Sequence, residues 1–522
     1  MAIPSKQHPK ILFANANIIT MDPSRPRAEC IAISGGTILF VGSKTTIGKP
    51  FANDFKLIDC GGKTILPGFI DAHCHLRAFA ESLVTLDMRP TEGFSSIADI
   101  KAAIRNLSQK AVPGTWIRAR GYNEFNLAEK RHPTRWDLDE VAPNHPVKLT
   151  HRSGHAHVLN SLALQAANIS IETPDPAGGL VDRDIHTGEP TGVLYEMSQY
   201  LSERIPPLDH QLFLAGVKLA NEQLLRSGIT SVHDASYLNG IDQWKEFRAW
   251  KEDGLFRPRI NMMLGAKLLN ENETEEYRRG MEGNDPRITG VKIILDETTG
   301  ELHPPQPELN EIVMRAHQKG FQVAIHAVEK TAIESACYAI ENATQHFPRA
   351  DHRHRIEHCS VCDPALSKRL ASLGVLVVTQ PAFIYYNGDR YLKTVPQKHL
   401  AYLYPLRTLL GNGVNVATSS DFPIAPPNPL IGLYSAVTRR SKTGQLVSEE
   451  EAIPPWAALH MYTHDAAKAT FDEGTRGSIA PGKAADLVLL SDDPTRVAPE
   501  DIKDIKVEMT VIGGEIVWED KS

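Results

Sequence analysis

Cysteine is scarce in this chain: six in 522 residues, at positions 30, 60, 74, 337, 359 and 362. So few thiols over such a length exclude a disulfide framework and fit a reducing cytoplasm. Cys359 and Cys362 form a C-x-x-C with no second copy, which reads as neither a zinc nor a redox motif. Long basic runs are also missing, and the formal net charge is −7. That argues against nucleic acid or an anionic membrane as a partner. No apolar stretch approaches the length of a membrane span. The first ten residues are polar and lack the apolar core of a signal peptide. No glycine-rich dinucleotide fingerprint follows an expected strand, which counts against a redox enzyme.

What remains is an ordinary globular composition, 42% apolar and 23% charged. The length suggests two to four domains, although α/β barrels run long. Both ends of the chain alternate short apolar runs with turns. Gly35-Gly36 and Gly513-Gly514 each sit between two such runs, a hairpin signal. The expectation is one small β-sandwich built from both termini, residues 1–64 and 471–522.

Between them, residues 65–470 alternate strand-like and helix-like segments. The strands read at 65–71, 230–234, 259–264, 291–295, 322–326, 354–357, 375–379 and 414–418. Eight strands alternating with helices predict an α/β fold, a (β/α)8 TIM-like barrel. The stretch from about 88 to 205 is rich in proline, glycine and turn residues and reads as an insertion after the first barrel strand.

Chemistry gathers at the ends of these strands. His73 and His75 close the first apolar run, one residue apart, so a strand would present both on one face. Lys292 lies inside an apolar strand, where an unpaired cation is costly. His326, His358 and Asp421 end or follow three more strands. His73, His75, His326, His358 and Asp421 thus fall at the C-terminal rim, where such barrels carry their active sites. Imidazoles with a carboxylate suit zinc or a related divalent ion. Lys292 would join them if its amine carried CO2 as a carbamate, an anionic bridge between two ions. His233, at the end of another strand, reads as structural or as a support behind the ligands. Glu357 should point away from His358 and support the barrel.

These segments resemble the amidohydrolase superfamily, and within it the branch of N-substituted formamide deformylase and YtcJ-like proteins. The resemblance rests on Gly68–His75 (GFIDAHCH), Gly290–Asp296 (GVKIILD), Ala324–Ala327 (AIHA), Arg355–His358 (RIEH), Ser419–Pro423 (SSDFP) and Ser478–Asp486. Trp116, Gly121-Tyr122 and Ser153–His155 resemble parts of that branch's insertion. The resemblance implies that the lysine is carboxylated. It also implies that His73, His75, Lys292 and Asp421 hold one ion, while Lys292, His326 and His358 hold a second. The chain departs from the branch after His326, where Ala327-Val328-Glu329-Lys330 replaces the usual small residue and Gly-Asp, and at Glu297.

The implied reaction is hydrolysis of a non-peptide C–N bond, amide or formamide-like, in a small molecule. A divalent ion would lower the pKa of water toward about 7. Asp421 would move the proton from that water to the leaving nitrogen. His155 is the candidate for stabilising the oxyanion, and Tyr122 and Glu124 are candidates to line the substrate pocket. A homodimer is implied by the resemblance alone. Two rivals stand: a deaminase or cyclic-amide hydrolase acting on a nitrogen heterocycle, against which Lys292 argues, and a non-catalytic scaffold, against which the full ligand set argues.

Overall fold

The computed structural model describes residues 10–43, 45, 54–89, 92–270, 275–283, 285–297 and 300–521. The chain forms two compact units. The first comprises residues 1–76, 221–295 and 305–522; the second comprises 77–220 and 296–304.

The first unit is built on an eight-stranded sheet whose spatial order follows the chain. Its strands are β1 (Phe69–Cys74), β2 (Ile229–Asp234), β3 (Arg259–Gly265), β4 (Arg287–Ile294), β5 (Gln322–Ala327), β6 (Arg355–His358), β7 (Leu376–Thr379) and β8 (Asn415–Thr418). Every neighbouring pair is parallel. The ring closes just beyond the strand ends. There Asp421 N donates to His73 O at 3.1 Å and His75 N donates to Phe422 O at 2.9 Å. This is a TIM-like barrel.

The connecting helices carry one apolar face each. Helix α1 (Gln306–Gln318) buries Leu309, Val313 and Ala316, and α2 (Lys330–His346) buries Ile333, Ala336, Ile340 and Ala343. Three- and four-residue spacings of this kind put the apolar side chains on the face toward the sheet.

The first apolar run is not one strand, as the sequence suggested, but two. Thr64–Pro67 pairs with Leu487–Leu490 and with Asn17–Ile18, outside the barrel, and β1 starts only at Phe69. The break falls at Pro67-Gly68, where a side chain on Gly68 would stand 2.2 Å from Thr230. His73 therefore lies inside β1, and His75 just past it.

The chain ends form two further sheets. One is ordered Thr37–Gly42, Cys30–Ser34, Ile11–Ala14, Lys56–Asp59. The other is ordered Glu515–Glu519, Val507–Ile512, Leu487–Leu490, Thr64–Pro67, Asn17–Ile19, Arg27–Ala28. One apolar cluster draws on both, with Phe13, Ile31, Ile33 and Val41 from the first and Ile18, Ile65, Leu487 and Val511 from the second. Gly35-Gly36 and Gly513-Gly514 turn two of the hairpins with positive φ at both positions, the conformation that two-residue hairpins need.

The second unit holds a six-stranded sheet ordered Leu180–Arg183, Pro190–Tyr195, Ala156–Leu159, Val147–His151, Ile117–Tyr122, Leu86–Asp87. Its bounds run past the 88–205 stretch at both ends and add residues 296–304.

At the N-terminal ends of β5 and β6, three buried histidines form a hydrogen-bonded relay. Val323 N donates to His354 Nδ1 at 2.9 Å. His354 Nε2 is therefore the donor to His317 Nδ1 at 2.8 Å, and His317 Nε2 in turn donates to Phe347 O at 2.6 Å. His352 stacks on His354, accepts from its backbone N–H and donates to Leu373 O. Each ring is thereby fixed as one neutral tautomer. Burial, followed by the nearby His352, Arg349 and His317, holds His354 well below the usual imidazole range. The folded protein thus binds fewer protons here than the unfolded chain, whose histidines titrate near 6.5. Stability is therefore expected to fall as pH drops below about 6.5. His354→Leu should cost about 2–4 kcal/mol, because it leaves Val323 N–H and His317 Nδ1 without partners. It should also flatten the acid limb, and urea unfolding at about pH 7.5 and about pH 5 measures both effects.

Candidate metal centre

At the C-terminal rim, β1 meets the segment after β8. Ser420 Oγ donates to Asp71 Oδ2 at 2.6 Å and Ser420 N to the same oxygen at 3.1 Å. Together with the two backbone bonds that close the ring, these place Asp421 opposite His73 and His75. Asp421 adopts φ 57°, which aspartate tolerates better than most residues. Its Oδ1 lies 3.2 Å from His75 Nε2 and 3.6 Å from His73 Nε2. That oxygen is buried and makes no hydrogen bond. One donor atom each from His73, His75 and Asp421 lie within 4.8 Å of one another.

The other expected ligands converge here too. Lys292, wholly buried in β4, brings Nζ to 3.4 Å from His73 Nε2. The His358 ring lies 5.0 Å from that of His73 and 4.4 Å from that of His326. Strand alternation would aim either Glu357 or His358 inward, but not both. The backbone resolves this with φ 72° at His358 and φ 49° at Cys359, which turn consecutive side chains toward the centre.

The imidazoles are held from behind in the same way. His73 Nδ1 bonds Glu357 Oε2, His75 Nδ1 bonds Ser236 Oγ at 3.0 Å, and His358 Nδ1 bonds Gln380 Oε1 at 2.9 Å. Each Nδ1 is thus engaged, and Nε2 is the nitrogen left for the cluster. A bond on one ring nitrogen that orients the other is how ligating histidines are usually supported.

Charge behind the cluster is arranged in a chain. Arg355, wholly buried, bonds both Glu357 oxygens, Ala72 O at 2.7 Å, and His233 Nδ1 at 3.0 Å. His233 Nε2 then faces Thr289 Oγ1 at 2.8 Å. Burial alone would raise Glu357, but Arg355 and His73 hold it well below the usual carboxylate range. Burial, reinforced by Lys292, pushes His73 down to about 3, so its imidazole is neutral. Burial also pushes Lys292 down to about 8. Asp421 is likewise held below the usual range, against the effect of burial, by His75, His73 and His358. Neutral imidazoles beside an ionised carboxylate with an orphaned oxygen form a donor set that suits a divalent ion.

Glu357 is the residue that sequence reasoning placed least well. Barrel support was expected; the carboxylate instead touches His73 directly. The signal was there in Arg355-x-Glu357, two opposite charges of one strand parity separated by a single apolar residue, Ile356. His233 is one step further back, reaching His73 only through Arg355 and Glu357.

The remaining site candidates lie in the second unit. His155 is half-exposed, with Nδ1 2.8 Å from Glu196 Oε1. Tyr122 is wholly buried in that unit's apolar core, and its hydroxyl meets His132 Nδ1 at 2.9 Å. Glu124 Oε2 stands 2.7 Å from His151 Nε2, which holds its carboxyl down at about 2. At the departures from the family pattern, Glu329 occupies the N-cap position of α2 without a side-chain capping bond, and exposed Lys330 pairs with Asp363 Oδ2 at 2.7 Å.

The sequence matches the amidohydrolase family over residues 56–518. This chain belongs to the amidohydrolase family. It is a hydrolase acting on carbon–nitrogen bonds. The amidohydrolase is 30% identical to N-substituted formamide deformylase of Arthrobacter pascens, covering 98% of each chain. It is 29% identical to YtcJ of Bacillus subtilis (strain 168), covering 98% of this chain and 99% of that one. Among solved structures, a metal-dependent hydrolase from Pyrococcus furiosus shares 26% identity at TM-score 0.71, over 93% of this chain and all of that one. One from Pyrococcus horikoshii OT3 shares the fold at TM-score 0.74, 24% identical, over 94% of this amidohydrolase.

Glu357→Gln removes the charge that orients His73. The expected result is a 10–100-fold weaker hold on a divalent ion, the usual cost of losing such a partner. Competition against a chelator reads it, with circular dichroism to check that the fold persists.

Proposed function

We propose that the protein hydrolyses a non-peptide amide or formamide-like C–N bond of a small molecule. In this reading His73, His75, Lys292, His326, His358 and Asp421 hold one or two divalent ions, zinc by the nature of the donors. The observation that carries it is Lys292. A buried amine 3.4 Å from His73 Nε2 is a poor resident of a cation site unless its charge is reversed. As a carbamate, formed when the amine nitrogen bonds the carbon of CO2 and releases a proton, it becomes an anionic two-oxygen ligand. The bound ion supplies a Lewis acid that acidifies water and polarises the scissile carbonyl.

The chain's own groups do the rest. Asp421 is ionised, buried and has an oxygen free of hydrogen bonds. It accepts the proton of the attacking water and returns it to the departing nitrogen. Glu357, Ser236 and Gln380 keep three imidazoles aimed while this happens. His155, its ring held by Glu196, is the group we assign to the developing oxyanion. Tyr122 and Glu124 are the residues we assign to the lining of the substrate pocket in this reading. The apolar cluster common to the two terminal sheets supports reading them as one small β-sandwich.

Lys292→Ala is expected to abolish both turnover and ion retention, with partial rescue by small carboxylates; full activity in this variant overturns the carbamate. Asp421→Asn should lower kcat by about 10²–10⁴-fold, the range of general acid–base catalysis. A panel of formamides, N-acyl amines and cyclic amides, scored for formate and for ammonia, identifies the substrate. Ammonia released from a heterocycle with no carboxylate product would point to the deaminase instead.

A further inference from the structure

A second cluster of metal-type side chains lies away from the rim, on two short helices some forty residues after β8. Helix α3 (Pro455–Tyr462) carries His460 in its last turn, and α4 (His464–Ala469) opens with His464 and Asp465. The helices are separated by a backbone break at Thr463, φ −130° and ψ −91°. Their inner faces are apolar: Ala466, Ala467 and Ala469 pack with Ile70 and Ala72 of β1 and Ala417 of β8. The three polar residues are only half-buried.

Their donor atoms, one from each residue, lie within 4.8 Å of one another. The imidazole rings of His460 and His464 are 5.7 Å apart. His464 Nδ1 and Asp465 Oδ1 stand 3.0 Å apart, close enough for one ion to take a lone pair from each. Lys468, one turn on, is drawn away to Asn415 Oδ1 at 2.9 Å. Nothing in the reading of the rim uses these residues.

We propose that His460, His464 and Asp465 form a second, peripheral site for a borderline divalent transition ion of the Zn2+, Ni2+ or Cu2+ kind. Two imidazoles select these ions over Mg2+ and Ca2+, which prefer all-oxygen ligands. Three protein donors leave the remaining positions to water. The ion ties α3 to α4 across the break at Thr463, and so braces the outer side of the seam where β1 and β8 meet.

Trp456, whose ring lies 5.9 Å from that of His460, supplies an optical probe. The full-length protein, dialysed so that it keeps only its tightly held ions, is titrated with Ni2+ while tryptophan fluorescence is followed. Equilibrium dialysis with Zn2+ counts the ions taken up. The expected result is saturable quenching at micromolar Ni2+, one more Zn2+ per chain than in His460→Gln/His464→Gln, and a Tm rise of a few degrees in the wild type alone. Trp456→Phe should lose the quenching and keep the extra ion. His464→Gln alone serves as the milder variant if the double one is poorly folded. Equal Zn2+ uptake by wild type and these variants, or quenching that persists in them, overturns the site.

Discussion

The buried ion pair of Arg355 and Glu357 is the contact on which the rest of the centre depends. Two charges in a barrel interior are tolerable only when every donor and acceptor is matched. Here the match is nearly complete: the guanidinium spans Glu357, Ala72 O and His233, and the carboxylate passes its remaining capacity to His73 Nδ1. A single pair thus fixes a tautomer on β1, a carbonyl on β1 and a histidine on β2. Removing either charge would leave the other stranded in a low-dielectric core, where it costs several kcal/mol. The pair acts as a strut that sets the angle at which the first imidazole meets its neighbours.

Around that strut the rim is assembled from strands that are remote in sequence. His73 and His75 come from residue 70 or so, and Asp421 from some 350 positions later, yet two backbone hydrogen bonds and the Asp71–Ser420 contacts lock them together. The geometry of the candidate site and the closure of the barrel are therefore one structural fact. Distortion of the seam would be felt by the ligands at once, since no flexible loop separates the two.

Much of this was legible in the sequence, and the reason is the period of a strand. Residues ending parallel apolar runs must lie on one rim, so His73, His326 and Asp421 could be grouped without a structure, while Lys292 was marked by the cost of a cation inside its run. The places where sequence reading fell short are those where alternation breaks. Glu357 and His358 are consecutive and both face the centre, because His358 takes a positive φ that only coordinates reveal. The long run at 64–74 looked continuous, because nothing in its apolar character marks where one sheet hands over to another. Pro67-Gly68 was the only local hint. His460 and His464 carry the i, i+4 spacing of a helical histidine pair, but they lie outside the strand ends at which the other candidates were sought.

The hand-over at Gly68 has a mechanical side. Gly68 N donates to Asp486 O, and Arg259, at the foot of β3, forks onto the Asp486 carboxylate at 2.6 and 2.9 Å. The peptide that carries the paired histidines is consequently moored at its root to the far end of the polypeptide. Strand β1 cannot slide along its axis without dragging the C-terminal sheet with it, so the last forty residues, though remote from the candidate site, act as ballast for its paired imidazoles.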